Sequence, residues 1–197
     1  MTNELYHLDP NIKRFCYGKI AEDGVSSDLL ERAREMTAFV CADLPLLNPP
    51  TIVWIRPVEP SLASAILGSR TQDFRLEERN SSFTRLKRNI LGGYTPGSDL
   101  HEIWIRSDLV ARPNLEFVVA HELRHAWQKL NDVKVFQDEC ESERDAYRYG
   151  YDVLERYLDA KGEYTTELRD GIDQKRAEAE NRYQDCGTHA SETKYYL

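Results

Sequence analysis

An α+β fold follows from two patterns in this sequence. Runs rich in β-branched and aromatic residues lie before position 107, and apolar residues at helical spacing dominate after Pro113. The 197 residues, 41% hydrophobic and 30% charged, suit a single globular domain with room for a sizeable core. We divide the chain into an N-terminal helical segment packed on the core (1–50), a main domain (51–185) and a tail (186–197).

The first element is a helix over 26–43, where Leu29, Ala33, Met36 and Val40 share one face. Asp28 and Glu31 have the spacing of a capping box at its start. Pro45, Pro49 and Pro50 end it. The stretch 51–56, TIVWIR, reads as a buried strand closed by Pro57 and Pro60. A short helix is expected over 61–67, and 70–80 carry no clear pattern. A hairpin comes next, with arms at 83–94 and 100–106 around the turn TPGSD. Gly92 and Gly93 mark a bulge or a close approach of another backbone. Pro113 opens a helix that runs to about Leu130 and stops at Asn131-Asp132. Two further helices, 138–159 and 163–184, are separated by Gly162. Trp54, Trp104 and Trp127 are read as core.

The formal net charge of -8 disfavours a nucleic-acid partner. The basic run Arg70, Arg75, Arg79, Arg85, Lys87 and Arg88 is diluted by Asp73, Glu77 and Glu78, so it reads as solvated surface. No stretch suits a signal peptide or a membrane span. Cys16, Cys41, Cys140 and Cys186 form no Cys-x-x-Cys pair and are expected to be reduced thiols in a cytoplasmic chain.

Chemistry concentrates in VVAHELRHAWQ, 118–128. His121 and His125, four apart on a helix, lie one above the other and can face one tetrahedral ion. Glu122, about 100° around the helix from His121, reaches a metal-bound water rather than the metal, and can act as general base. Only five histidines are present, and this composition yields the pattern by chance in roughly one sequence in a hundred. A catalytic zinc needs a third protein ligand. Positions 128 and 131 are Gln and Asn, so no third histidine follows at the spacing of a Gly-x-x-His extension. The segment DECESERDAYRYG, 138–150, offers Glu141, with Asp145 one turn on to accept a ligand histidine's ring N–H. Glu139 and Glu143 compete for the ligand role, and His189 is a further candidate. Asp138 and Glu141 also have capping-box spacing. Two histidines and a carboxylate favour zinc over magnesium or calcium. His101 is expected to be an exposed strand residue.

HELRHAWQ followed by ESERDAYRYG resembles the gluzincin metallopeptidases, in particular compact minigluzincins of phage and bacterial type. The resemblance covers about residues 90–150. It implies a zincin-like fold, with a small antiparallel sheet, an edge strand at 100–106 beside the motif helix, and a glutamate-bearing helix after it. It implies a zinc-dependent metallopeptidase acting on a peptide or protein substrate by metal-bound water. His121, His125 and Glu141 match its ligands, Glu122 its general base and Asp145 its outer-shell aspartate. A tyrosine or histidine usually stabilises the oxyanion in such enzymes, and Tyr94, Tyr147, Tyr151 and His189 are candidates. Two other readings differ in class. A DNA-associated protease of SprT type wants a third histidine and a basic surface. A metal-binding interaction protein that keeps the fold without catalysis has no need of Glu122.

Overall fold

The computed structural model describes residues 16–46, 48–58, 92–96, 101–107, 110 and 113–184. The expected helix at 61–67, the basic run, the outer arm of the hairpin before Gly92, His189 and the tail fall outside them. In chain order the elements are β1 (Cys16–Lys19), a 3-10 turn (Glu22–Gly24), α1 (Ser27–Asp43), β2 (Thr51–Val58), β3 (Gly92–Pro96) and β4 (His101–Arg106). Four helices follow: α2 (Asn114–Asn131), α3 (Val133–Gln137), α4 (Glu139–Lys161) and α5 (Thr166–Arg182).

The strands form one sheet in the order β1-β2-β4-β3. β1 pairs antiparallel with β2, and β4 pairs antiparallel with β3. β2 and β4 run parallel, so the sheet is mixed, not antiparallel as expected. The edge strand is also corrected: β4 is interior, and among the described residues β1 and β3 are the outer strands. Ile103, Trp104 and Ile105 are all buried, a continuous apolar run suited to a strand covered on both faces. β3, with two glycines and a proline, has edge composition. β2 continues through Pro57 to Val58. Its pairing with β4 ends at Ile55, so the N–H that Pro57 lacks is not missed by that neighbour.

The close approach foreseen at the two glycines is real. A Cβ on Gly93 would lie 2.2 Å from the Trp104 ring, and one on Gly92 would lie 2.5 Å from Val118 Cγ1. Helix α2 thus rests directly on β3. Its apolar side, Leu115, Val119 and Leu123, joins Met36 and Val40 of α1, Ile103 and Ile105 of β4, and Val153, Leu154 and Tyr157 of α4 in one core. Each such side chain stabilises the fold by roughly 1.5–3 kcal/mol on full burial.

The helix ends follow local chemistry. α1 is capped by Ser26, which accepts from the Leu29 N–H at 3.4 Å, in place of the expected Asp28–Glu31 box. Gly162 ends α4 in the left-handed region, φ 67°. Trp54 and Trp104 are core residues, whereas Trp127 is half-buried under the Arg124 guanidinium, 4.2 Å from its ring.

Polar contacts tie α1 to the helices beneath it. The Arg32 guanidinium donates to the Tyr157 hydroxyl at 3.1 Å and to Glu163, and its Nε lies 3.6 Å from Glu116 Oε1. Asp43 accepts from both terminal nitrogens of Arg156, at 3.0 and 2.9 Å, and from the Tyr149 hydroxyl at 3.0 Å. Arg156 holds the Asp43 carboxyl below its usual range. A depressed carboxylate stabilises the fold above its unfolded pKa, and that contribution fades as pH falls through the folded value. Asp43→Asn should therefore cost about 1 kcal/mol or less near neutral pH, given solvent screening of an exposed pair. In denaturant melts the two chains should converge in acid. A difference that persists there would exclude the ion pair as its source.

Candidate metal centre

Helix α2 carries His121, Glu122 and His125, with Glu116 and Gln128, into the interior, where each is buried. Buried polar side chains need partners, and α4 supplies them for the two imidazoles through Glu143 and Ser142. α2 and α4 are joined by the short α3 and run antiparallel. Ser142, Ala146 and Gly150 of α4, four residues apart, are the buried small residues facing α2. A Cβ on Gly150 would come within 2.9 Å of the Phe117 ring and 3.5 Å of His121 Cβ. Small residues here let the helices close on each other and bring the next side chain, Glu143, over both imidazoles.

The result is a compact triad. His121 Nε2 and His125 Nε2 are 3.1 Å apart. Glu143 places Oε2 at 3.4 Å from His121 Nε2 and Oε1 at 3.3 Å from His125 Nε2. Three donors around a tetrahedral ion with bonds of 2.0–2.1 Å are separated by about 3.3–3.4 Å. The triad therefore has the spacing of three ligands that share one cation, and it can hold a metal ion.

The carboxylate of this triad is Glu143, where the sequence pointed first to Glu141. Glu141 lies about 200° around the helix from Glu143, and its carboxylate pairs with Arg144. Its N–H is received by Asp138 Oδ1 at 3.1 Å, so this stretch acts as a helix cap. Asp145 is also placed differently from expectation. It accepts from Arg124 Nε at 2.7 Å, Arg124 Nη2 at 3.1 Å and Gln128 Nε2 at 2.7 Å. The partners of His125 Nδ1 are Gln128 Oε1 at 2.9 Å and Ser142 Oγ at 3.0 Å. Gln128 and Ser142 went unnoticed in the sequence. The four-residue spacing of Ser142, Ala146 and Gly150 was the available signal, since it marks the face of α4 pressed on α2. His121 Nδ1 is buried with no hydrogen-bond partner among the described residues.

Electrostatics in the triad favour positive charge. Burial alone would lower the His125 pKa, but the Glu143 hydrogen bond and the charges of Glu122 and Glu143 outweigh it and push it up to about 9. Burial alone would raise Glu143, but its hydrogen bonds to His121 and His125 hold it well below the carboxylate range. Glu122 is raised. Burial is the main cause and Glu143 adds to it, against the two imidazoles and a hydrogen bond from the Tyr94 main-chain N–H. Two carboxylates thus converge on two imidazoles, an environment suited to a cation.

The tyrosine candidates separate. The Tyr147 ring lies 4.6 Å from His121, nearly perpendicular, and burial, then Glu143, raise its hydroxyl. The Tyr94 hydroxyl is instead engaged with His101 Nδ1 at 3.0 Å. The other nitrogen of His101 meets the Asn48 carbonyl at 3.0 Å, so this histidine bridges β4 to the segment before β2 and is half-buried rather than exposed. Tyr151 stacks on Phe117 at 4.3 Å, a packing role. Helix α5 adds a residue that sequence reasoning did not single out. The Tyr183 ring lies 5.6 Å from Tyr147, and burial, then Glu143, push its hydroxyl up to about 12.

Cys140, two residues before Ser142, is disulfide-bonded, which corrects the expectation of four reduced thiols. Cys41 is free and half-buried. No helix among the described residues is long and apolar enough to cross a membrane. Comparison with known proteins finds no matching family model, no similar curated protein and no similar solved structure.

Proposed function

We propose that this chain is a zinc-dependent peptidase of the small gluzincin type, with His121, His125 and Glu143 as ligands and Glu122 as general base. The observation that carries the proposal is the triangle of donor atoms at 3.1, 3.3 and 3.4 Å beside a buried glutamate on the same helix. Two imidazoles and a carboxylate, with a fourth position left to solvent or substrate, favour zinc and a catalytic rather than a structural site. When bound, zinc supplies a Lewis acid and lowers the pKa of water to about 7.

The remaining work falls to side chains and strand edge. Glu122, its proton affinity raised by burial, takes a proton from the attacking water and returns it to the leaving amine. Tyr147, beside His121, is placed to donate to a developing oxyanion. The outer side of β3, the outermost strand among the described residues next to β4, suits an extended peptide that adds by main-chain hydrogen bonds. A structural site would need no base, so Glu122 favours catalysis over a purely binding role. The disulfide at Cys140 favours an oxidising compartment over the cytoplasm.

The test is Glu122→Gln, assayed on a mixed peptide library by mass spectrometry with zinc content measured in parallel. The expected result is a loss of about 10²–10⁴-fold in cleavage, the range for a general base, with zinc unchanged. Cleavage at the wild-type rate by this variant, or no cleavage by zinc-loaded wild type, would overturn the proposal.

A further inference from the structure

We infer that Gln128 is a positioning residue for His125, and that it links Asp145 to that ring by hydrogen bonds; this rests on the metal reading above. Gln128 is fully buried and every polar atom of its amide is engaged. One end meets the Ser142 main-chain carbonyl at 3.0 Å and Asp145 Oδ2 at 2.7 Å. The carbonyl, and the carboxylate when ionised, only accept, so the end of Gln128 that faces them must be the NH₂ group. The carbonyl end of Gln128 is thereby turned to His125 Nδ1, 2.9 Å away.

That oxygen can only accept, so His125 Nδ1 must carry a proton. The second neighbour of Nδ1 agrees. Ser142 Oγ donates its single hydrogen to Gln128 Oε1 at 2.7 Å. At 3.0 Å from His125 it is left to accept. With the proton fixed on Nδ1, the lone pair of the neutral ring lies on Nε2, the atom that faces His121 and Glu143. The relay is Arg124 to Asp145, Asp145 to Gln128, Gln128 to His125. The Arg124 guanidinium is bidentate on Asp145 and stacked 4.2 Å from Trp127, which holds the outer end still. His121, whose Nδ1 has no such partner among the described residues, gains no equivalent orientation from side chains there.

The experiment compares wild type, Gln128→Leu and Gln128→Glu. Zinc affinity is measured by chelator competition, and the ring tautomer of His125 by ¹⁵N spectroscopy on the metal-free chain in alkaline solution. Gln128→Leu keeps the volume and removes the acceptor, and it is expected to weaken zinc binding about 10–100-fold, the usual effect of losing an outer-shell partner. Gln128→Glu restores most of that affinity, because a buried carboxylic acid can accept from His125 with one oxygen and donate to Asp145 with the other. Wild type is expected to show an Nδ1–H tautomer that Gln128→Leu loses. An Nε2–H tautomer in wild type, or wild-type zinc affinity in Gln128→Leu, overturns the inference. Absence of zinc binding by wild type sinks the peptidase proposal instead, and the ring spectrum still decides the tautomer.

Discussion

Glu143→Ala is expected to lose zinc to a chelator that wild type resists, with affinity falling by more than about 100-fold, beyond the effect of an outer-shell change. Glu141→Ala should retain a full equivalent. The contrast follows from where α4 aims the two side chains. Glu143 stands 3.4 and 3.3 Å from the Nε2 atoms of His121 and His125, while Glu141 is held by Arg144. Elemental analysis of both variants after dialysis decides it. Zinc kept by Glu143→Ala and lost by Glu141→Ala would mean that α4 is rotated from the arrangement described. Removing Glu143 also deletes a negative charge beside two imidazoles, so the metal-free variant should melt no higher than metal-free wild type.

Arg32→Met is expected to destabilise the fold by about 3–5 kcal/mol, the usual cost of breaking a buried ion pair from one side. Arg32 is 5% exposed and Glu116 1% exposed, 3.6 Å apart. The substitution keeps the aliphatic volume and withdraws this charge from beside the buried Glu116 carboxylate. The double variant Arg32→Met/Glu116→Gln should recover much of the loss, since a neutral amide is cheaper to bury than a carboxylate. Urea denaturation of the two singles and the double gives the coupling directly. Strictly additive losses would show that the two charges do not sense each other. The loss should be global, because Arg32 also reaches Tyr157 near the end of α4 and Glu163 just beyond it, and so joins α1 to α4 as well as to α2.

Much of the fold was legible in local pattern. The four long helices and the strands at 51–58 and 101–106 stand within a few residues of where periodicity and turn residues put them, while the strand at 92–96 overlaps only the end of the expected arm and takes in Thr95 and Pro96 of the expected turn. Gly162, Pro113 and Asp138 end or open helices for reasons written in their own chemistry. The strand order was less accessible. β4 was expected at the edge and is interior, because which strand lies outermost depends on a parallel pairing with β2 made across more than forty residues.

The pairing of His121 with His125 was legible in sequence alone, since a four-residue spacing on a helix needs only the helix to be meaningful. The choice among Glu139, Glu141 and Glu143 was not. All three lie in the first turns of α4, and each has a local pattern that accommodates it. Only the packing of α4 on α2 selects one, through the small residues Ser142, Ala146 and Gly150 that admit Phe117 and His121. The same contact brings Ser142 to His125 and Asp145 to Gln128, each pair seventeen residues apart in the chain and on facing helices. Sequence spacing fixes what one helix presents, whereas the rotation of one helix against another is set by side-chain volumes at their contact, and that is a property of the folded chain.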